Sequence, residues 1–184
     1  MKWTLSELRR YADEPMHLQK QLELNDAMKA RFPDQILAVA PVKIDGSVMY
    51  ERGDVTIFAT VKTTVTVPST RSLTPVELPL DFSFTESYTN DQTHLDRYEE
   101  AQTLAFLLDD AQTPIDFEEA VMENIIEQIP SRVLTPLEAA GNSIPQGKGW
   151  DVQEEGAVAS EANDSVDPRL AKLKELFPDQ DSKH

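Results

Sequence analysis

From Val55 to Val67 the chain changes character at every step. Val55, Ile57, Ala59, Val61, Thr63, Val65 and Val67 form one series, and Thr56, Phe58, Thr60, Lys62, Thr64 and Thr66 form the other. Successive strand side chains point to opposite faces, so a period of two held this long predicts a long strand with one face buried. Its β-branched content favours the same conformation. Upstream, Glu51-Arg52-Gly53-Asp54 reads as a hairpin turn back to the Val48–Tyr50 segment. Downstream, after a loop from Pro68 to Pro75, alternation returns on Val76, Leu78, Leu80, Phe82, Phe84 and Tyr88. Pro79 within that run places it at a sheet edge or a bulge, because proline gives no hydrogen to a ladder. The expectation is an antiparallel meander of long strands, which twist and curl.

The flanking segments read as short helices and loops. Residues 4–12 predict a helix capped by Thr4 or Ser6, with Leu5, Leu8 and Tyr11 on one face. A second helix is expected from Asn25 to Phe32, ended by Pro33. From Ile36 to Tyr50 the chain reads as extended, interrupted by Pro41 and by the turn dipeptide Asp45-Gly46. Tyr98–Leu108 fits a helix or a strand. Asp116 and Glu119 predict a capping box, opening a helix with Phe117, Val121, Ile125 and Ile129 on one face and Pro130 at its end. Residues 135–165 read as a loop or flexible linker. A short amphipathic helix follows at 166–178, where Asp167-Pro168 supplies cap and first position for Leu170, Leu173, Leu176 and Phe177. The predicted class is therefore α+β. A twisted antiparallel sheet, open or curled towards a barrel, carries a few flanking helices in one domain over 1–134, with a flexible C-terminal tail.

Charge restricts the function classes more sharply than any motif. The 184 residues carry a net charge of −16, and residues 81–128 hold thirteen Asp or Glu against the single cation Arg97. Such a region repels phosphate backbones, whose binding needs Lys and Arg to displace counterions. It attracts a basic partner, or it serves only as a solvated face. With no cysteine, disulfides, zinc knuckles and thiol catalysis are excluded. No apolar run is long enough for a membrane span, and the opening residues lack the apolar core of a secretory signal, so a cytoplasmic location is expected.

No constellation of residues reads as an active site. His17, His94 and His184 are dispersed, and His94 near Asp96 lacks the further ligands a metal needs. Gly147-Lys148-Gly149 lacks the upstream glycine and the hydroxyl of a phosphate loop. Asp109-Asp110 and Glu118-Glu119 are adjacent pairs whose side chains point apart, which leaves a carboxylate-based hydrolase as a secondary reading. Arg9 and Arg10 near Tyr11, and Lys29 and Arg31 near Phe32, are basic clusters compensated by neighbouring acids. They support direct RNA binding only weakly. The C-terminal amphipathic helix is either a clamp on its own domain or a docking peptide.

Several segments together resemble the YceD-like family of large ribosomal RNA subunit accumulation proteins, in the form found in Gram-positive bacteria. They are Met1-Lys2-Trp3-Thr4-Leu5-Ser6-Glu7-Leu8, Val39-Ala40-Pro41-Val42 and Val67-Pro68-Ser69-Thr70-Arg71-Ser72-Leu73. Ile115 to Pro130, Gly147 to Val152 and Val166 to Ala171 continue the series in the same order. Many relatives carry cysteines in the Arg71 loop, where this chain has Ser69 and Ser72, so a metal role is not carried over. The resemblance implies a part in accumulating or processing large-subunit ribosomal RNA, with no catalytic residue, cofactor or metal. The expected partner is a basic ribosomal protein or large-subunit assembly factor, with pre-ribosomal RNA contacted directly or through it. Neither a membrane nor a small-molecule substrate is expected. The candidate interaction residues are Arg71, Trp150 and Arg169, together with Asp109, Asp110 and Glu118 from the acidic stretch. For Arg71 the alternative is a salt bridge pinning its loop. For Trp150 it is packing on the domain, and for Arg169 support of a first helical turn.

Overall fold

A computed structural model describes residues 1–100, 104–141, 146–148 and 150–151. Its first unit, Met1–Ala140, is organised around one sheet. β1 (Lys2–Trp3) leads into α1 (Leu5–Leu8) and a 3-10 turn over Arg9–Tyr11, followed by β2 (Met16–Leu22) and α2 (Asn25–Arg31). β3 (Ala38–Val39), β4 (Val42–Glu51), β5 (Asp54–Pro68) and β6 (Pro75–Thr89) follow. A 3-10 turn over Gln92–His94 then leads into α3 (Leu95–Glu100). β7 (Ala105–Leu107), β8 (Ile115–Asp116), α4 (Phe117–Glu127) and α5 (Pro136–Ala139) complete the unit. The main sheet has the order β2-β4-β5-β6-β7, with β3 also paired to β5, and β7 runs parallel to β6. Among the described residues its two outer strands do not meet, so the sheet stays open and the barrel-like closure is not realised.

β5 behaves as its alternation requires. Val55, Ile57, Ala59, Val61, Thr63, Val65 and Val67 are all buried, while Phe58 and Lys62 on the other face are exposed. α1 and α4 supply the opposing apolar surface. Thr4 caps α1 in a capping box with Glu7, which turns Leu5 and Leu8 inward. α4 buries Phe117, Ala120, Val121, Asn124 and Ile125, the spacing of one helical face. Its cap is only half a box. Asp116 Oδ1 accepts from Glu118 N at 3.2 Å and Glu119 N at 3.4 Å, but the Glu119 carboxylate turns instead to Arg31 at 2.5 Å.

Two turn expectations separate here. Arg52 and Gly53 have φ of 53° and 101°, the pair of positive angles a two-residue hairpin loop demands, and Glu51 pairs with Asp54 as predicted. Asp45-Gly46 is no turn. Both residues lie inside β4, paired to Gln19 and Leu18 of β2 on one side and to Thr60 and Ala59 of β5 on the other. Glycine is needed there for closeness, because a Cβ at position 46 would stand 2.2 Å from Phe58 O.

The ambiguous stretch Tyr98–Leu108 contains both forms, the end of α3 and then β7. The first unit ends at Ala140, and α5 forms within the residues read as a loop or linker, capped by Thr135 with Pro136 in its first turn. In the second unit β9 (Gln146–Gly147) and β10 (Trp150–Asp151) make a small antiparallel ribbon. The helix expected at 166–178 and Arg169 lie outside the described residues. No described helix is long and apolar enough to cross a membrane.

Replacing Gly46 with alanine forces β4 and β5 apart. Gly46→Ala is expected to lower stability by about 1–3 kcal/mol, the usual range for overpacking. The shift in the urea midpoint of unfolding measures it.

Candidate functional site

The loop joining β5 to β6, Ser69 to Thr74, is built almost entirely from its own short polar side chains. Ser69 is fully buried, and its hydroxyl accepts from Arg71 N at 3.1 Å and Ser72 N at 3.3 Å while donating to Glu138 Oε2 at 2.7 Å. That uses the donor and both acceptor positions of a serine hydroxyl. Thr70 donates through its amide and its hydroxyl to Val133 O, at 2.8 Å and 2.9 Å, binding the loop to the segment between α4 and α5. Glu138, only 1% exposed, also accepts from Thr135 N at 2.7 Å to close the capping box of α5. The Ser69 hydroxyl, with Ser72 and the Thr135 amide, lowers the Glu138 carboxyl to about 2. Arg71 Nη1 reaches Glu138 O at 3.5 Å, so the arginine is tied to α5 from the loop.

One residue of this loop is held against its preference. Leu73 has φ of 62°, a left-handed conformation that costs an L-residue with a Cβ about 1–2 kcal/mol, and its side chain is 74% exposed. Beside it lies a groove of about 320 Å³ whose lining includes Val67, Leu73, Ile126 and Val133 together with the polar Asp34 and Gln35. Leu137, 68% exposed, projects from α5. The loop thus combines a pinned arginine, a strained exposed leucine and a recess of mixed lining beside them.

The acidic candidates lie elsewhere. Asp110 Oδ1 accepts from Gln112 N at 2.7 Å and Thr113 N at 2.9 Å, forming the turn beside which Asp109 is exposed. Glu118, in the first turn of α4, pairs with the amino group of Met1 at 2.6 Å. The turn after Asp110 bonds back to Ser6, since Ser6 N donates to Ala111 O at 3.3 Å. Asp110 and Glu118 are therefore tied to residues 1–6, whereas Arg71 is tied to α5. The backbone of Trp150 pairs with Gly147 in the separate ribbon.

Sequence reasoning missed the two buried acids of the first unit's sheet. Asp54, 4% exposed, accepts from His94 Nδ1 at 2.8 Å, Arg97 Nη2 at 3.0 Å and Tyr98 Oη at 2.8 Å. Burial pushes its carboxyl up, but the hydrogen bonds from His94, Thr89 and Tyr98 outweigh this and leave it below the usual range. Asp91 Oδ2 stands 3.6 Å from His94 Nε2, so both ring nitrogens of that histidine face carboxylates. Glu86 is also 4% exposed and accepts from the Tyr88 hydroxyl and from Asn124 Nδ2 at 2.5 Å. Burial, with the Glu86 bond, raises the Tyr88 hydroxyl well above its usual range. The signal for Glu86 was visible, because it occupies the inward place between Phe84 and Tyr88 in the alternating series. The two acids project to opposite faces of the sheet and do not converge as a carboxylate pair would. Among the described residues no group of three or more His, Asp or Glu is arranged to hold a metal.

The family model described as large ribosomal RNA subunit accumulation protein YceD matches residues 57–177, from within β5 through the Arg71 loop and beyond. The chain is also similar to YlbN of Bacillus subtilis (strain 168), described as uncharacterized. The two are 28% identical over 182 residues, covering 98% of this chain and 99% of that protein. No solved structure matches the chain.

The anchorage of the loop has a pH signature. A carboxyl held down to about 2 in the folded state contributes stability that is complete above its unfolded value, near 4.5, and is lost as pH falls towards 2. Urea unfolding between pH 6 and pH 2.5 is expected to show the wild type losing its advantage over Glu138→Gln across that window. A constant gap between the two would contradict this anchorage.

Proposed function

Because this chain belongs to the family of large ribosomal RNA subunit accumulation proteins, we propose that it is a cytoplasmic ribosome-biogenesis factor acting through protein contacts and without catalysis. Its partner is a basic ribosomal protein or a basic large-subunit assembly factor. The observation that carries this reading is the charge of residues 81–128, thirteen acids against Arg97. The part of that excess which stays exposed, including Asp96, Asp109, Asp110 and Glu127, accelerates encounter with a basic protein and disfavours a phosphate backbone.

Cations elsewhere strengthen the argument. Arg31 is bridged by Glu119 and Glu123 of α4, each at 2.5 Å, Lys2 stands 3.2 Å from Asp116, and Lys62 stands 2.9 Å from Asp81. Arg10 lies over the Tyr11 ring at 5.0 Å. These contacts hold cations within the protein's own charge pattern. The second reading, direct RNA contact, rests on a recess lined by Lys20, Lys43 and Lys62, with Asp45 among them. Register places Lys43 directly opposite Lys62, both exposed, where like charges repel unless an anion joins them. Asp81 already supplies that anion to Lys62. In the protein-contact reading, Arg71, Leu73 and the recess beside them provide the specific anchor, and the acids Asp109, Asp110 and Glu118 provide attraction.

Affinity capture with the tagged full-length chain, from gently lysed cells, tests the reading. Large-subunit ribosomal proteins or precursors are expected at low salt and lost in washes of about 0.5 M salt, where screening shortens to a few ångströms. Nuclease treatment before capture is expected to leave the protein partner bound. Loss of the partner with the RNA would favour the RNA reading, and recovery of neither would sink both.

A further inference from the structure

β6 is paired along its whole length on one side and only at its end on the other. β5 accompanies it from Pro75 to Tyr88, whereas β7 covers Ser87, Tyr88 and Thr89 alone. Among the described residues no strand lies on that second side between Pro75 and Glu86. Parity decides which backbone groups face it. The N–H and C=O of one strand residue point to the same side, and those of the next residue to the other. Ser87 N donates to Leu104 O at 3.0 Å, and Thr89 O accepts from Leu108 N at 2.7 Å, so odd-numbered residues face away from β5. The register with β5 is unbroken, which carries this parity back along the strand. Pro75 and Pro79 obey it, being odd-numbered and having no hydrogen to give. From Pro79 to Thr85 the open side therefore presents the N–H groups of Asp81, Ser83 and Thr85. The C=O groups of Pro79, Asp81 and Ser83 stand beside them.

The side chains beside this ladder differ by face. Val76, Leu78, Leu80 and Phe82 are half-buried, an apolar row at the margin of the core, while Glu77, Asp81, Ser83 and Thr85 are exposed on the other face. A strand laid alongside would set alternate side chains against the apolar row and against the acids.

We propose that the β6 edge from Pro79 to Thr85 docks an extended segment of a basic protein, in which Lys or Arg alternates with apolar residues, as an added strand of the sheet. The chemistry of this partner rests on the function proposed above; the place and conformation of binding are new. Charge selects the occupant. A second copy of this chain would bring Glu77 and Asp81 against themselves within molecules of net charge −16. RNA offers no peptide ladder and carries the repelled sign. The far edge of the sheet, β2, carries Lys20 and no acid, so it draws no basic strand. Asp81 is paired with Lys62, but both side chains are more than 60% exposed. An exposed pair of this kind is weak, and an incoming Lys or Arg exchanges with it readily.

The test uses the full chain with a synthetic octapeptide of alternating Lys and Val, and a Glu–Val octapeptide as control. Only the Lys–Val peptide is expected to bind, slowing amide exchange at Asp81, Ser83 and Thr85 at least fivefold. Ser83→Pro removes an outward N–H while leaving the pairing with β5 intact. It is expected to weaken binding at least tenfold relative to Ser83→Ala, which loses the same hydroxyl bond to Thr60 Oγ1 but keeps the N–H. The double variant Glu77→Lys, Asp81→Lys is expected to weaken binding similarly through charge alone. No binding, equal binding of both peptides, protection confined to other residues, or full affinity in Ser83→Pro would each overturn the proposal. So would a dimer of the chain abolished by Ser83→Pro. Capture from lysate separates the two levels. Native partners recovered equally by wild type and Ser83→Pro refute the edge and leave the assembly reading standing. Peptide binding at the edge with no ribosomal partner recovered refutes that reading and leaves the edge.

Discussion

Everything in the first unit depends on β5 being hydrogen-bonded on both sides while one of its faces is closed to water. Fifteen residues long, it pairs with β4 and β6 and also receives β3. A strand with period two has no freedom of register once one face is buried, because a slip of one residue would put every valine into solvent. That constraint is transmitted outward. It requires glycine where β4 crosses closest, and it decides which backbone groups of β6 look inward. It also sets the Ser69 loop at the end of the sheet, within reach of α5. The helices respond to this surface; α1 and α4 are too short to be stable without an apolar face to cover.

How much of this was legible follows from how local each cause is. The β5 alternation, the Arg52-Gly53 hairpin and the caps at Thr4 and Asp116 are short-range causes, and each produced the expected element. Pro79 was read as marking an edge or a bulge; the register with β5 runs through it unbroken, and its nitrogen lies on the side of β6 that faces away from β5. Asp45-Gly46 misled because glycine serves equally for positive φ and for close backbone approach, and only the neighbouring strand distinguishes these. α5 was missed because a four-residue helix has almost no periodicity, although Thr135 and Glu138 spelled its capping box. The candidate site was less legible than the fold. Arg71 could be singled out through the resemblance. The burial of Glu138 arises from a contact made 69 residues apart in sequence, the Ser69–Glu138 bond, and the positive φ of Leu73 has no residue-type signal such as glycine.

The acidic stretch illustrates the same limit from another direction. Thirteen acids in 48 residues look like one surface on paper. Folding distributes them among different tasks. Glu86 goes into the core with Tyr88 and Asn124, Asp91 and Asp116 cap helical turns, and Glu119 and Glu123 clamp Arg31 from α2 against α4. What survives as an external field is the remainder, carried by Asp96, the Asp109–Asp110 turn and Glu127 at the end of α4. Composition fixes the sign of that field, while topology decides where it can be felt.

The Ser69 hydroxyl leaves a chemical consequence. Here the loop is closed by hydroxyls, a buried carboxylate and backbone amides, none of which has an accessible oxidation state. A thiol in that position exchanges with disulfides and peroxides, and its loop can open or lock with the redox state of the cell. The serine version is indifferent to oxidants. The bonds that hold the surface around Arg71 therefore contain no group that a change of redox state would alter.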